Sequence, residues 1–248
     1  MTSSIAPPRL VVTDRRAASR QAARLLADEL ASPRPVLGLA TGSSVELAYE
    51  ELAALISADP ALRAGVRRAQ GFALDEYVGL PPGDPNGYRA TLVRELASPT
   101  GLPLDRLHVP SASIADDPGR YDEQISAAGG VGVQLLGIGG NGHIGFNEPG
   151  SPLDGGTRLI TLDERTRRDN ARFFASLAQV PTQAVTQGIG TILRARRLVL
   201  LAFGRAKAEA LAAALAGPVT PQWPASALQC HPDVVVLADA EAARLLHA

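Results

Sequence analysis

Residues Val131-Gly-Val-Gln-Leu-Leu-Gly-Ile138 form a strong apolar run that opens directly into Gly139-Gly-Asn-Gly-His-Ile-Gly-Phe-Asn-Glu-Pro-Gly150. The run has the length of a strand, and its continuous apolar character fits a strand buried on both faces. The segment after it is dense in Gly and ended by Pro, so it reads as a loop. Gly137-Ile-Gly139-Gly-Asn-Gly142 matches the G-x-G-x-x-G dinucleotide fingerprint. Its context fails, because that fingerprint leads directly into a helix, with an acidic residue about 20 positions on. These glycines instead allow a tight backbone excursion that aims His143 and Glu148.

Working outward, the same rhythm repeats. Strands are expected at residues 10–12, 35–39, 69–74, 107–109, 159–162, 198–203 and 234–237. Helices are expected after the capping residue Asp14, over 45–56, 88–96, 119–127 and 164–175, near Gly190, from Gly204 and from Ala240. Asp75-Glu76-Tyr77 reads as the start of a Pro- and Gly-rich loop. This βαβα order predicts an α/β fold: one domain, residues 1–248, with a mostly parallel sheet and helices on both faces. Ligands bind such sheets beyond the carboxyl ends of the strands. That rule selects four segments: Thr41-Gly42-Ser43-Ser44, Asp75-Glu76-Tyr77, the loop from Gly139 to Glu148, and the turn from Gly204 to Lys207.

The chain has 248 residues, 46% apolar and 20% charged, enough for a sizeable core and too apolar for disorder. A net charge of −1 carries no electrostatic footprint for nucleic acid. Cys230 is the single cysteine, so neither an intrachain disulfide nor a cysteine metal cluster can form. The N-terminus lacks the pattern of a secretory signal, and no apolar run approaches the roughly 18 residues of a membrane span. These features predict a cytoplasmic protein without membrane or nucleic-acid partners. Of 24 basic residues only Lys207 is a lysine. Its retention asks whether that position needs an ammonium.

Each selected segment offers chemistry. Small residues at Thr41, Gly42, Ser43 and Ser44 let backbone N–H groups and a helix start face an anion, as a phosphate requires. An ordinary helix cap would use the same residue types. The segment is not a Walker A loop, so a nucleoside triphosphate is not implied. Asp75, beside the low-dielectric sheet, would be a partly desolvated carboxylate and hence a stronger base, or else a loop cap. His143 can act as acid or base near neutral pH, with Glu148 and Asn141 close enough in sequence to fix its tautomer. The other histidines, His108, His231 and His247, read as structural or surface groups. Arg165, Arg167 and Arg168 read as a solvated face. Arg172, followed by Phe173 and Phe174, should lie at the core boundary. With Lys207 it would complete a monophosphate site. No His-x-x-x-His pair and no Cys pair occurs, so no metal is expected, and no Gly-x-Ser-x-Gly elbow offers a serine nucleophile. With the dinucleotide fingerprint out of context, no cofactor is expected.

Together these motifs resemble the glucosamine-6-phosphate deaminases of the glucosamine/galactosamine-6-phosphate isomerase family. The matching stretches are Leu37-Gly-Leu-Ala-Thr-Gly42, Leu74-Asp-Glu-Tyr-Val-Gly-Leu80, Gly137 through Pro149, Asn170-Ala-Arg-Phe-Phe174 and Leu228-Gln-Cys-His-Pro232. Their order and spacing span nearly the whole chain. The resemblance implies a metal-free reaction in which glucosamine 6-phosphate and water give fructose 6-phosphate and ammonia. It implies that His143, with Glu148 and Asn141, opens the sugar ring, and that Asp75 moves the C2 proton to C1. It further implies that Thr41, Gly42, Ser43, Ser44, Arg172 and Lys207 hold the phosphate.

Two departures from the family matter. Some members carry Asp where this chain has Asn141. Asn can orient His143 by hydrogen bond but adds no negative charge, which predicts a less basic His143. Some members are hexamers activated by N-acetylglucosamine 6-phosphate through basic residues around the position of Arg158 and a C-terminal extension. Here Ile160 stands two residues after Arg158 and the sequence ends at Ala248. The expectation is no such activation, and a monomer or small homo-oligomer. Two other readings are a 6-phosphogluconolactonase or a deaminase of another amino sugar phosphate on the same fold, and a non-catalytic sugar-phosphate sensor. A sensor would need a DNA-binding module for which the chain has no basic region.

Overall fold

The computed structural model describes residues 6–110 and 117–246. Its strands are β1 (Arg9–Val12), β2 (Val36–Leu39), β3 (Gln70–Ala73), β4 (Asp75–Tyr77), β5 (Leu107–His108), β6 (Val133–Gly137), β7 (Arg158–Thr161), β8 (Gln183–Thr186), β9 (Arg197–Ala202) and β10 (Val234–Ala238). Its helices are α1 (Arg15–Leu30), α2 (Glu46–Ala58), α3 (Pro60–Arg68), α4 (Tyr88–Leu92), α5 (Ser98–Thr100), α6 (Gly119–Ala127), α7 (Glu164–Asn170), α8 (Ile189–Ile192), α9 (Ala208–Ala216) and α10 (Ala240–Ala243).

Seven strands pair in parallel in the order β1-β10-β9-β6-β2-β3-β5. Parallel pairing needs crossovers, and helices cover both faces, so the inner strands are buried on both sides. This is why Val and Leu dominate β2, β6, β9 and β10. From β2 the chain steps outward through β3 to β5. It then returns to β6, beside β2 on the other side, and continues to β9 and β10. The direction reverses between β2 and β6, and a crevice opens beyond their carboxyl ends.

The sequence reading missed a second sheet. Asp75-Glu76-Tyr77 is not a loop but β4, which pairs antiparallel with β8, as does β7. In that register Asp75 lies opposite Thr186. Tyr77, Phe146, Leu162 and Ala184 form a small core there, with Tyr88 and Phe174 packed against it.

Local chemistry sets the element ends. Asp14 caps α1 by accepting from the Ala17 N–H at 2.9 Å. Asp59 caps α3, which has Pro60 in its first turn. The polar helix expected to reach residue 175 stops at Asn170 and tightens into a 3-10 turn over Ala171–Phe173. The helix expected from Gly204 begins as a 3-10 turn, Arg205–Lys207, before α9. His108 stacks on Phe72, and buried His231 bonds to the Ala195 carbonyl, so both are structural. His247 lies outside the described residues. No helix among the described residues is long and apolar enough to cross a membrane.

Candidate active site

A cavity of about 370 Å³ lies at the reversal point of the sheet. Four strand ends contribute to it: Thr41, Gly42, Ser43 and Ser44 after β2, Asp75 after β3, His143 from the loop after β6, and Lys207 from the turn after β9. The sequence had selected these same segments.

Buried hydroxyls fix the strand ends that carry the site. Tyr49 donates to the Ala40 carbonyl at 2.7 Å and accepts from its N–H at 3.2 Å, pinning the residue before Thr41. Tyr121 and Gln187 both donate to the Ala73 carbonyl at 2.9 Å, two residues before Asp75. Asp239 accepts from the Gly204 N–H and, at 2.8 Å, from the Ala242 N–H. One carboxylate thus caps α10 and anchors the turn that carries Lys207.

Thr41, Gly42, Ser43 and Ser44 line the cavity and lead through Val45 into α2, whose start has no side-chain cap. Half-buried Lys207 lines the same space, so the segment that enters a helix and a cation border one cavity. Arg172 lies in the turn after α7, but its side chain is outside those described.

Asp75 is buried, 7% exposed. Desolvation, with a smaller contribution from Glu76, pushes its carboxyl up to about 8. It is therefore a carboxyl group that exchanges a proton in the neutral range.

The loop after β6 is shaped around His143. The imidazole lies over Gly139, where a Cβ would sit 2.4 Å from the ring. At Gly142 φ is +83°, and a Cβ would meet Trp223 at 2.6 Å. Both positions therefore require glycine. Glu148 Oε1 lies 3.1 Å from His143 Nδ1. Nδ1 is buried and poorly aligned for a hydrogen bond there, and the two groups form an ion pair when the imidazole is protonated. Burial alone would raise Glu148. The neighbouring His143 and hydrogen bonds from Thr166 and Asn141 outweigh it and hold Glu148 at about 2.

Asn141 does not act as its sequence position suggests. Its amide nitrogen donates to Glu148 Oε2 at 2.5 Å, and its oxygen accepts from the His143 backbone N–H at 3.3 Å. It orients the carboxylate and the loop backbone rather than the ring.

The sequence reading missed several residues. Thr166 and Asn170 of α7 line the cavity, as does Tyr88 of α4. Glu76 accepts from the Tyr88 and Arg89 N–H groups at 2.9 and 2.7 Å and so fixes the start of α4. Arg167 is not on a solvated face. Its guanidinium donates to the Leu177 and Val180 carbonyls, both at 3.1 Å. Arg168 does pair with Glu164 at the surface. Among the described residues no cluster of three or more His, Cys, Asp or Glu could hold a metal ion.

A family profile described as glucosamine-6-phosphate isomerases/6-phosphogluconolactonase matches residues 13–237. The chain belongs to this family. Among relatives in the glucosamine-6-phosphate isomerase/6-phosphogluconolactonase family, a glucosamine-6-phosphate deaminase of Bifidobacterium longum (strain DJO10A) is 49% identical over 255 residues, covering 97% of this chain and 93% of that protein. A glucosamine-6-phosphate deaminase of Streptomyces avermitilis is 49% identical over 242 residues, covering 96% and 92%. A solved structure described as a monomeric glucosamine-6-phosphate deaminase superposes with a TM-score of 0.89 at 40% identity, covering 96% of this chain and 99% of that one. A 6-phosphogluconolactonase from Trypanosoma brucei shares the fold at a TM-score of 0.76 and 20% identity, covering 98% and 100%.

Proposed function

We propose that this chain is a glucosamine-6-phosphate deaminase, a single catalytic domain that converts glucosamine 6-phosphate and water to fructose 6-phosphate and ammonia. The observation that carries this reading is the meeting, in one cavity, of a buried carboxyl poised at about 8, a histidine backed by a carboxylate, and the Thr41-Gly42-Ser43-Ser44 segment with a lysine.

The reaction uses each part. Thr41, Gly42, Ser43, Ser44 and Lys207, with Arg172, hold the phosphate, a dianionic handle remote from the reacting carbons. His143, supported by Glu148 and Asn141, moves the proton that opens the pyranose to the aldehyde. Asp75, ionised, takes the C2 proton while the substrate's ammonium gives a proton to O1, leaving a neutral enolamine. It returns that proton to C1, leaving an iminium at C2. Water adds at C2 and ammonia leaves, so the ketose forms and no electrons are lost. A positioned base contributes roughly 10²–10⁴-fold to such a proton transfer.

A lactonase would have no carbon-bound proton for Asp75 to move. We further infer a monomer. The support is the 40% identical structure described as monomeric.

Asp75→Asn tests the reading. It should retain sugar-phosphate binding in calorimetry and lose ammonia release by at least about 10²-fold. Unchanged turnover would contradict it.

A further inference from the structure

We propose that Thr166 is a positioning residue for ring opening: its hydroxyl occupies the Glu148 oxygen that faces His143, and so controls how that histidine is held. The inference rests on the deaminase reading above.

Glu148 has two oxygens and three partners. Asn141 takes Oε2 at 2.5 Å. Thr166 Oγ1 donates to Oε1 at 2.7 Å, and His143 Nδ1 lies 3.1 Å from that same Oε1. The hydroxyl makes a well-formed bond, whereas the imidazole nitrogen is buried and unaligned. A charged acceptor binds its best-aligned donor most strongly, and a second donor on the same oxygen weakens its pull on the first. Thr166 therefore competes with His143.

Thr166 is well fixed for this role. It is 7% exposed. Its backbone N–H is bound by the cap Asp163 at 2.6 Å. One residue on, Arg167 ties α7 to the carbonyls of Leu177 and Val180. Phe174 closes the same stretch against Tyr77, ring centroids 5.8 Å apart. The position of the hydroxyl is thus that of the whole 163–180 segment. Any shift of α7 would release Oε1 to align with the imidazole.

The charged groups sharing this space are Asp75 on β4 and Lys207 after β9, both facing the cavity. Behind the loop, Arg158 on β7 donates to Asn147. The side chains of Arg165 and Arg172 are outside those described. Thr166 Oγ1 and His143 Nδ1 are the groups placed against Oε1, so Thr166→Val removes a donor that shares this oxygen with the imidazole.

The test compares Thr166→Val, which keeps shape and removes the donor, with Thr166→Ser, which keeps the donor. Two readouts are followed: the pH profile of kcat/KM with glucosamine 6-phosphate, and the ¹⁵N resonances of His143 in the ligand-free protein. In Thr166→Val the limb that follows His143 should move to higher pH, because Glu148 Oε1 loses a donor and its charge acts more fully on the imidazole. The Nδ1 resonance should move in step, and Thr166→Ser should restore both. Unmoved resonances and profile in Thr166→Val, or a uniform loss of kcat at every pH with His143 unmoved, would overturn the proposal. If the wild type releases no ammonia, the functional reading fails, and the His143 resonances still decide the role of Thr166.

Discussion

The side chain of Asn141 reaches Glu148, 2.5 Å away, and not the ring of His143. The network fixes the direction of the amide, since the carboxylate needs its NH₂ and the His143 backbone N–H needs its oxygen. An aspartate at this position would keep the second bond and lose the first. It would also place a second carboxylate beside Glu148, adding negative charge near the imidazole where both are ionised.

Asn141→Asp should therefore move the His143-dependent limb of the ring-opening pH profile to higher pH, because negative charge is added behind the imidazole. Comparing the two profiles at constant ionic strength checks this. Superimposable curves would contradict it.

Asp75 gives a second pH prediction. A base works only when ionised, and burial raises this carboxyl to about 8. The log of kcat/KM should then rise with a slope of about one as pH climbs toward 8, and level off above it. A flat profile from about pH 6 to 9 would show that Asp75 is ionised throughout and is not the group that limits the reaction.

Much of this site was legible because its parts stand at the ends of apolar strands. The runs that became β2, β3, β6 and β9 are short, continuous and bounded by polar residues, so periodicity located them, and topology brought their ends together. Other parts carried no local signal. β4 has three residues and exists only because β8 pairs with it from more than a hundred residues away. β8 itself, Gln-Ala-Val-Thr, has too little apolar character to stand out. Thr166 sits in an Arg-rich stretch that reads as solvated, and only the packing of α7 turns it toward Glu148. Asp239 looked like nothing more than the start of a short helix, yet it anchors the turn of Lys207. In each case the information lies in a long-range contact.

The single lysine among 24 basic residues lines the same cavity as Thr41, Gly42, Ser43 and Ser44. A compact ammonium suits a phosphate oxygen at close quarters, and a planar guanidinium needs more room. Lys207→Arg should raise KM by about tenfold or more despite unchanged charge, with a smaller effect on kcat. Steady-state kinetics checks this, and an unaltered KM would make the lone lysine a compositional accident.

Arg158 is committed to the fold. Its guanidinium donates to Asn147 at 2.7 Å and to Ser151 at 3.0 Å, on the loop that also bears His143 and Glu148. Two residues on along β7 stands Ile160, so that position adds no second cation beside Arg158. Saturation curves should be hyperbolic and unchanged by N-acetylglucosamine 6-phosphate. Sigmoidal curves abolished by that compound would contradict this.

The central claim is the reaction itself. It is tested most directly by giving the purified protein glucosamine 6-phosphate as sole substrate and following ammonia and fructose 6-phosphate in one coupled assay. The account predicts that both appear together in equal amounts. Formation of neither product, or of ammonia without the ketose phosphate, would contradict it.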